Sequence, residues 1–587
     1  MKPGQGGMIP SPPRDTIESM TQIPLAEAAV LDSTRRREWL AILAFTLVGA
    51  VVRLAGLNRS GLTHFDEGIY ALAGGWVFQD GGISAIDPGL IAYAPPFFVI
   101  LVGVAYRVLG VSDTSSILVS IVAGIATLPM VGLLARRIFG PGAGAAATGF
   151  AAVSVPHVVF SRMALTDSTF LLTWLIALEM GRAFLERPTW LRACGLGLAV
   201  GLAQLTKYNG WLTGGIVVVS AAFDLLRDPE SRIRSRMART FGFGLLAALI
   251  AGLVDLPWIR FVERHGGYAS LLEHQRSYLG TASAWPRHLL LQLDQMVALS
   301  GGRTWQLAGL ACALAGAALV VRRPRTNKLG ALVAVHVIVV AVLAPNLNAL
   351  CVALAIPILL TSGSSSRRFL GVACLIPVIL TPFYHPYARL WLPVEGLGWI
   401  VLGGAVATLW TEQLDILRSR RALVAVGGCG IIFCVSLCLT SVWAVTALSL
   451  PDVLGPTDSL RVAVTLLAKR IPADVPSVLV LARPPVLFYL SGRKNAQRVA
   501  DLDALTAPDP SGSWAIVDEA LATDEPKNST RMYNLWQVRT GGSSQFNSMG
   551  AATHLDTDPS PTSSIHPRLL RLWLLRSYVP PRERSIP

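Results

Sequence analysis

Charged residues are scarce in this chain of 587 residues. Only 15% of the residues are charged, whereas a soluble protein of this size carries roughly 25%, and 52% are hydrophobic, with a mean hydropathy of +0.52. Apolar runs of about 17–23 residues recur between short basic loops, a pattern typical of polytopic membrane proteins. The composition therefore excludes an ordinary soluble enzyme.

The sequence also lacks the usual signatures of nucleic-acid, metal and nucleotide sites. Its net charge of +14 comes from arginines in loops between apolar runs, where basic residues set membrane topology. The seven cysteines lie in apolar runs without metal-ligand spacing to histidine. No glycine-rich phosphate loop or dinucleotide fingerprint is present. These absences favour neither a nucleic-acid partner nor a nucleotide-sugar donor.

Basic residues predict how the chain crosses the membrane. Residues 1–37 are polar and end in three arginines, so we interpret them as a disordered cytoplasmic tail, not as a cleavable signal. The first span, about 38–57, then places the segment "HFDE" (His64–Glu67) on the far side. Because Arg136 and Arg137 must return to the cytoplasm, segment 94–110 is expected to form an interfacial or re-entrant helix.

The alternation continues to about thirteen spans, the last at about 423–448. We predict an all-α polytopic membrane domain over residues 38–450 and a small extracytoplasmic α/β domain over residues 451–587. In the second domain, "SLRVAVTLLAKRIPADVPSVLVLARPPVLFYLSG" predicts an amphipathic helix, then a strand rich in β-branched residues, then a turn, and "SWAIVDEAL" predicts a strand followed by the start of a helix. A Ser/Pro/Thr-rich stretch near 541–567 is expected to be irregular.

The predicted topology places ionisable residues from distant turns at one face of the membrane. They are Asp66, Glu67, Arg162, Asp167, Lys207 and Arg389. Ionisable groups in or beside membrane spans are costly and point to function. Lys207 is the most unusual of them, because lysine is scarce in this chain and arginine is its usual cation.

Each of these residues has a simpler possible role. Asp66 and Glu67 could cap the helix that follows them. Arg162 could anchor the chain at the membrane interface, and Asp167 could cap a helix or pair with Arg162. His64 alone could be an ordinary hydrogen-bonding residue.

Taken together, the acids and cations predict a mixed-charge site at the edge of the bilayer. A carboxylate there can act as a general base toward a hydroxyl or amine. Cations can hold a phosphate and stabilise its charge as a leaving group. A substrate that is itself a lipid phosphate would account for the position of the site.

Several motifs occur in an order that resembles a known family. They are "HFDEGIYA" after the first span, "YAPPFF", "ARRIFGPGAGAAATGFAAVSVPHVVFSRMALTD", "GLAQLTKYNG" and "HPYARLWLP". Over residues 38–400 the chain resembles the GT-C membrane glycosyltransferases of the protein O-mannosyltransferase type. That superfamily includes the bacterial lipid A aminoarabinose transferases and the Rgt-type galacturonosyltransferases of the lipopolysaccharide core.

The resemblance implies sugar transfer from a polyprenyl-phosphate-linked donor to an extracytoplasmic acceptor, with inversion at the anomeric carbon. Asp66 matches the family's presumed catalytic base, with Glu67 beside it as a second catalytic candidate. Asp167 matches the family's second acidic position, close to the lipid phosphate. The protein is then a multi-pass enzyme of the cell membrane, active in envelope or protein glycosylation.

The chain departs from the family at one phosphate ligand. Many members carry a lysine directly before the Pro-Pro pair, whereas this chain has Ala94 there. We expect Lys207, Arg162 or Arg389 to take that role. The matching motifs also contain the remaining substrate-binding candidates, which are His64, Tyr93, Tyr208 and Tyr387.

The sequence does not decide the metal, the sugar or the acceptor. The paired acids could bind a divalent metal, as in the oligosaccharyltransferase branch of this fold. The sugar could be a hexose or a pentose, and the acceptor a lipid, a protein or a polysaccharide. The rival function is a lipid or sugar transporter or flippase. Against it, the charges cluster at one membrane edge and no internal repeat is evident.

Overall fold

Helices dominate the computed structural model up to residue 413, and a sheet follows after residue 460. The structure describes residues 25–57, 60–78, 94–227, 231–299, 345–413, 460–492, 495–499, 513–519, 545–556 and 568–578. The helices of the first part are α1 (Leu25–Leu54), α2 (Phe65–Phe78), α3 (Pro96–Leu109), α4 (Asp113–Phe139), α5 (Ala143–Val153), α6 (Val155–Ser161), α7 (Thr166–Glu186), α8 (Trp190–Thr206), α9 (Leu212–Arg227), α10 (Ser231–Arg264), α11 (Gly267–Arg276), α12 (Trp285–Leu299), α13 (Pro345–Leu360), α14 (Ser365–Leu380) and α15 (Leu392–Gln413).

Several of these helices are long and apolar enough to span a membrane. Within the described residues there are five, or six if the bent pair α5 and α6 forms one span. This confirms the polytopic all-α membrane fold. The total of about thirteen spans stays a prediction, because the last predicted span, about 423–448, lies outside the described residues.

Helix α1 begins earlier than the sequence predicts. A disordered tail is expected through residue 37, but the helix already starts at Leu25. The segment "LAEAAVL" explains this difference, because alanine, leucine and glutamate are strong helix formers. Further along the helix, Leu40, Leu43 and Leu47 are each more than half exposed and form an exposed apolar stripe.

The segment predicted not to cross the membrane forms the short helix α3. Its 14 residues reach about 21 Å at 1.5 Å per residue, less than the hydrocarbon core of about 30 Å. It packs closely against α2, where a Cβ added at Gly74 would lie 2.4 Å from Cγ1 of Val102. Helices α2 and α3 therefore form a paired layer next to the longer helices.

A buried arginine stabilises the break between α5 and α6, which are bent by 61°. Pro156 lies in the first turn of α6 and lacks the N–H that would otherwise reach the carbonyl of Ala152. Arg53, which is fully buried, donates from Nη1 to that carbonyl at 3.0 Å and from Nη2 to the carbonyl of Ala151 at 3.4 Å. The arginine thus replaces backbone hydrogen bonds lost at the bend.

Short turns join the helices at two opposite ends of the membrane region. Ion pairs link the basic turns at one end, where Arg136 lies 3.2 Å from Glu38 and Arg137 and Arg182 share the buried Glu179. Helices α4 and α7 both run toward this end, because each carries two of these residues in its C-terminal half. Their N-termini lie at the other end.

The C-terminal part is a small α/β unit, as the sequence predicts. Its elements are α16 (Leu460–Ala468), β1 (Val478–Leu481), α17 (Pro484–Tyr489), β2 (Ala496–Arg498), β3 (Trp514–Asp518), β4 (Gln545–Asp556) and β5 (Arg568–Tyr578). The strand order is β2-β1-β3-β5-β4, with β1 parallel to β2 and β3, and β5 antiparallel to β3 and β4. The helix over "LRVAVTLLA" and the strands over "VLVL" and "WAIVD" agree with the prediction.

The stretch near 541–567 is not irregular throughout. Strand β4 occupies Gln545–Asp556 within it. This strand is polar in composition, and its pairing depends on β5, with Gln545 opposite Tyr578 and Asp556 opposite Arg568. A local composition argument misses such a strand, because its stabilising contacts come from a distant segment.

Candidate active site

Four charged side chains from distant parts of the chain meet at the end opposite to the basic turns. Asp66 lies in the first turn of α2, and Asp167 lies in the first turn of α7. Lys207 directly follows α8. Arg389 lies in a short 3₁₀ turn, Ala388–Trp391, that leads into α15.

Arg389 joins the two carboxylates of this cluster. Its Nη2 lies 2.8 Å from Oδ2 of Asp66, and its Nη1 lies 4.0 Å from Oδ2 of Asp167. Lys207 Nζ donates to Oδ1 of Asp167 at 2.8 Å. The charges therefore alternate in the order Asp66, Arg389, Asp167, Lys207, and the cluster is neutral as a whole.

The cluster is accessible at its two outer members. The side chains of Asp66 and Lys207 are 30% and 25% exposed, whereas that of Asp167 is 2% exposed. Burial raises the pKa of Asp66, but the positive charge of Arg389 and the hydrogen bond that it donates outweigh this effect and hold the pKa below its ordinary value. Asp66 is therefore ionised at neutral pH and has the charge state of a base.

Glu67 points away from the cluster and forms a capping box. Its Oε2 accepts the N–H groups of Thr63 at 2.9 Å and His64 at 2.8 Å, while Oε1 accepts the N–H of Ala164 at 2.8 Å. The Nδ1 of His64 accepts the N–H of Asp66 at 3.0 Å. His64 and Glu67 thus occupy the N-cap and N3 positions of α2. The capping role fits Glu67, whereas Asp66 faces Arg389.

Arg162 lies apart from the four charges. Its Nη1 donates to the carbonyls of Arg53 at 2.6 Å and Ala55 at 2.7 Å, and its Nη2 donates to Oγ of Ser60 at 3.0 Å. These acceptors belong to the C-terminal end of α1 and the turn after it. Arg162 therefore stabilises the end of α1, and it forms no ion pair with Asp167 within the described residues.

The tyrosine candidates occupy different positions. The ring of Tyr387 lies 5.2 Å from the guanidinium carbon of Arg389, within the range of a cation–π contact. The hydroxyl of Tyr208 accepts the indole N–H of Trp258 at 3.0 Å. Tyr387 thus contacts the charge cluster, and Tyr208 packs on α10. Tyr93 lies outside the described residues.

Comparison with known proteins identifies the fold. Residues 93–258 match the family model described as dolichyl-phosphate-mannose-protein mannosyltransferase. The oligosaccharyltransferase of Archaeoglobus fulgidus, solved in complex with zinc and sulfate, is similar over 81% of this chain and 68% of its own, with 13% identity and a TM-score of 0.52. The chain has the GT-C fold. The resemblance noted in the sequence is thereby confirmed at the level of the fold.

A second solved structure is similar over most of its length. ArnT from Cupriavidus metallidurans, bound to undecaprenyl phosphate, is similar over 91% of this chain and 97% of its own, with 17% identity and a TM-score of 0.43. A search of curated protein sequences finds no significant match.

The paired acids of this GT-C chain do not fit a divalent metal. Both oxygens of Glu67 accept backbone N–H groups, and Asp66 faces the guanidinium of Arg389. A metal ion would have to displace these donors and approach a cation. Among the residues that the structure describes, no group of three or more His, Cys, Asp or Glu side chains is arranged to hold a metal ion.

Tyr70 lies beside Asp66 in the motif "HFDEGIYA", although it was not among the predicted site residues. Burial raises its pKa, and the neighbouring Asp66 adds to this effect. Its ring packs edge-on against Phe98 with centroids 5.4 Å apart. Tyr70 follows Asp66 by four residues in α2, a spacing that puts two side chains on one face of a helix. That spacing is the signal that would have found it.

Proposed function

We propose that the chain transfers a sugar from a polyprenyl-phosphate carrier to an acceptor hydroxyl or amine, with Asp66 as the general base. The observation that carries this proposal is the alternating cluster of Asp66, Arg389, Asp167 and Lys207 at one end of apolar helices. The matched family model describes a transferase named for a lipid-phosphate sugar, which supports a donor of this class.

The proposed reaction is a single displacement with inversion. The acceptor oxygen or nitrogen attacks the anomeric carbon, and the bond from that carbon to the phosphate oxygen breaks. Asp66 takes the acceptor proton, and the polyprenyl phosphate leaves with the bonding electron pair. Nearby cations stabilise the charge on this leaving group.

Lys207 and Arg389 are the proposed phosphate ligands. Lys207 is partly exposed and uses an ammonium with three N–H donors, one of which contacts Asp167. Arg162 is a weaker candidate, because its guanidinium already holds the end of α1. In this scheme Asp167 orients the two cations, and Tyr387 packs against Arg389.

We assign Glu67 and His64 to positioning. Glu67 holds the N–H groups of Thr63 and His64, and His64 holds the N–H of Asp66. These contacts determine where the first turn of α2 begins. Tyr93 and Tyr208 remain candidates for contacts to substrate.

The active site is proposed to face the extracytoplasmic side of a cell membrane. The basic turns lie at the opposite end of the helices, and such turns stay in the cytoplasm. The acceptor is then a lipid, protein or polysaccharide of the envelope. The sugar is a hexose or pentose.

The Asp66→Asn variant tests the assignment of the base. Amide and carboxylate have the same shape, but the amide cannot accept the acceptor proton, so we expect turnover to fall by about 100-fold or more. The assay uses undecaprenyl phosphates that carry tritiated mannose, glucose, galactose or arabinose, with an envelope extract as acceptor. Asp224→Asn, which removes an ion-paired carboxylate on α9 that contacts Arg368, serves as the matched control.

Two results would contradict the proposal. Full turnover by Asp66→Asn would exclude Asp66 as the base. Labelled lipid that crosses a sealed vesicle without cleavage of the sugar–phosphate bond would favour the flippase.

Mass spectrometry of lipid that copurifies with Asp66→Asn would identify the trapped donor.

Lys207→Ala should weaken donor binding. Loss of one charge-assisted contact to phosphate removes about 1.5–3 kcal/mol, so the KM for donor should rise by roughly 10-fold or more. Lys469→Ala, which removes an exposed lysine of the C-terminal domain, is the control. An unchanged donor KM would remove Lys207 from the phosphate site.

A further inference from the structure

The segment that precedes Asp66 lies directly against the C-terminal domain. Helix α17 packs on α2 so closely that a Cβ added at Gly68 would lie 2.2 Å from the backbone nitrogen of Pro485. Only glycine permits this approach of two backbones. One hydrophobic core continues across the contact, from Leu62 and Leu72 to Val486 and Phe488. The domain is therefore packed onto the catalytic region and is not a separate appendage.

A single hydroxyl connects this domain to two parts of the membrane region. The half-buried Tyr489, at the end of α17, accepts the backbone N–H of Leu62 at 2.7 Å. It donates to Oδ2 of Asp113, the first residue of α4, at 3.1 Å. A tyrosine hydroxyl has one proton to donate and lone pairs to accept. Tyr489 uses both capacities, so phenylalanine cannot replace it.

The Asp113 carboxylate is itself fixed. It is 7% exposed, and Nη1 of Arg461, on α16, lies 3.0 Å from the same Oδ2. Thr114 donates its N–H to Oδ1 at 2.7 Å. Tyr489 therefore hydrogen-bonds to a carboxylate that other contacts hold in place. Because Asp113 is fixed, it also fixes the position of the Tyr489 hydroxyl.

Further contacts connect the C-terminal domain to the residues that directly precede Asp66. Arg483, which is paired with the buried Asp518 at 2.8 Å, lies with Nη1 within 3.5 Å of the carbonyl of Thr63. The guanidinium of Arg498 lies over the ring of Phe65, 5.9 Å from its centroid. The C-terminal domain thus contacts Leu62, Thr63 and Phe65, on the segment that leads to Asp66.

We propose that Tyr489 is a positioning residue of the transferase and that, through Leu62 and Asp113, the C-terminal domain sets the place of the Asp66 carboxylate relative to Arg389. The inference rests on the proposed function only where it concerns catalysis. The mechanical link between Tyr489 and residues 62–66 stands on the contacts alone.

Tyr489→Phe tests the link directly. Loss of one hydrogen bond of about 1 kcal/mol should make amide hydrogen exchange in a peptide covering residues 60–68 about five-fold faster. Exchange in the peptides of α4 and α7 away from the site should stay the same. Tyr268→Phe, on α11, removes a half-buried hydroxyl that is not part of these contacts and is the matched control. Unchanged exchange at residues 60–68 would overturn the proposal.

The catalytic consequence is measured by the separation of kcat and KM. With the tritiated undecaprenyl-phosphate sugars, Tyr489→Phe should lower kcat by about 10-fold or more, since small displacements of a catalytic group are costly, and leave the donor KM unchanged. A merely structural role would instead lower the thermal midpoint and the fraction of active protein without changing kcat per active site. That result would overturn the positioning role.

Gly68→Ala provides a second, independent variant. The added methyl group meets the backbone of Pro484 and Pro485, so it should displace α17 and reproduce the faster exchange at residues 60–68. Gly492→Ala, where a Cβ has nothing within 4 Å, should not. If Asp66→Asn retained full turnover, the proposed function would fail, while the exchange experiments would still decide the role of Tyr489.

Discussion

Asp66 and Arg389 form an ion pair at 2.8 Å, and such a pair lowers the affinity of the carboxylate for a proton. As the proposed base, a carboxylate paired in this way is ionised but has a low affinity for a proton. A donor phosphate that binds Arg389 would compete with Asp66 for the guanidinium and place a negative charge nearby. Both effects raise the pKa of Asp66. Binding of the donor would therefore increase the proton affinity of Asp66 in the complex in which the reaction takes place.

This competition for Arg389 predicts different pH profiles for kcat and kcat/KM. The profile of kcat/KM reports the free enzyme, and that of kcat reports the enzyme with bound substrate. Since the pKa of Asp66 is depressed in the free enzyme, activity is lost as pH falls through this low value. The acid limb of kcat should lie at higher pH than that of kcat/KM. Coincident limbs in the two profiles would argue against competition for Arg389.

Arg389→Gln is the informative variant for this comparison. Without the guanidinium, the charged form of Asp66 loses its main stabilising partner, so its pKa rises. The acid limb of kcat/KM should then move to higher pH, while Arg367→Gln, at the basic end, should leave it in place. A limb that stays in place in Arg389→Gln would show that another group controls the profile.

At the scale of single residues, the sequence predicts which charged residues lie near one another. It does not predict which of them are in contact. Topology alone puts Asp66, Asp167, Lys207 and Arg389 at one membrane edge, because alternating basic turns assign each loop to a side. It cannot separate Asp66 from Glu67, which are adjacent. Their side chains point in different directions because successive residues of a helix lie on different faces. The side chain of Glu67 points toward the backbone N–H groups that it caps.

At the scale of secondary-structure elements, the bend between α5 and α6 depends on Arg53. Its guanidinium donates to the carbonyls of Ala151 and Ala152 and lies 2.8 Å from Nδ1 of His157. A buried carbonyl without a donor costs about 1–3 kcal/mol. The sequence contains little sign of this contact, because Arg53 and Ala152 are 99 residues apart and the arginine resembles an ordinary interfacial residue.

Arg53→Met should therefore destabilise the protein. The change keeps an apolar chain of similar length but leaves both carbonyls without their donor, so the thermal midpoint in detergent should fall clearly. Pro156→Ala restores an N–H within reach of Ala152, and the loss caused by Arg53→Met should be smaller in that background. Equal losses in the two backgrounds would mean that the arginine does not compensate for the proline.

Elements of polar composition were the least predictable. The strand β1 and the helix α16 follow from local patterns, because an apolar run and an amphipathic repeat are visible in the sequence. The strand β4 depends on its partner β5 instead. The contact between Tyr489 and Leu62 also depends on a distant part of the chain, because these residues are 427 positions apart. Local patterns in the sequence do not predict it.

At the scale of the whole molecule, the distribution of charge predicts which end of the protein faces the cytoplasm. The arginine-rich turns gather at one end, and the mixed-charge cluster lies at the other. The proposed transfer of a lipid-linked sugar outside the cell requires the second end to be extracytoplasmic. The two ends can be distinguished by single cysteines placed in exposed turns.

Pro141→Cys marks the basic end and Thr281→Cys marks the site end, since both positions are exposed. In intact cells a membrane-impermeant maleimide should label Thr281→Cys at once, and Pro141→Cys only after permeabilisation. The unsubstituted chain controls for its own cysteines, of which Cys374 is buried. The reverse labelling would place Asp66 in the cytoplasm, where the positive-inside rule would be violated and an extracytoplasmic acceptor could not reach the base.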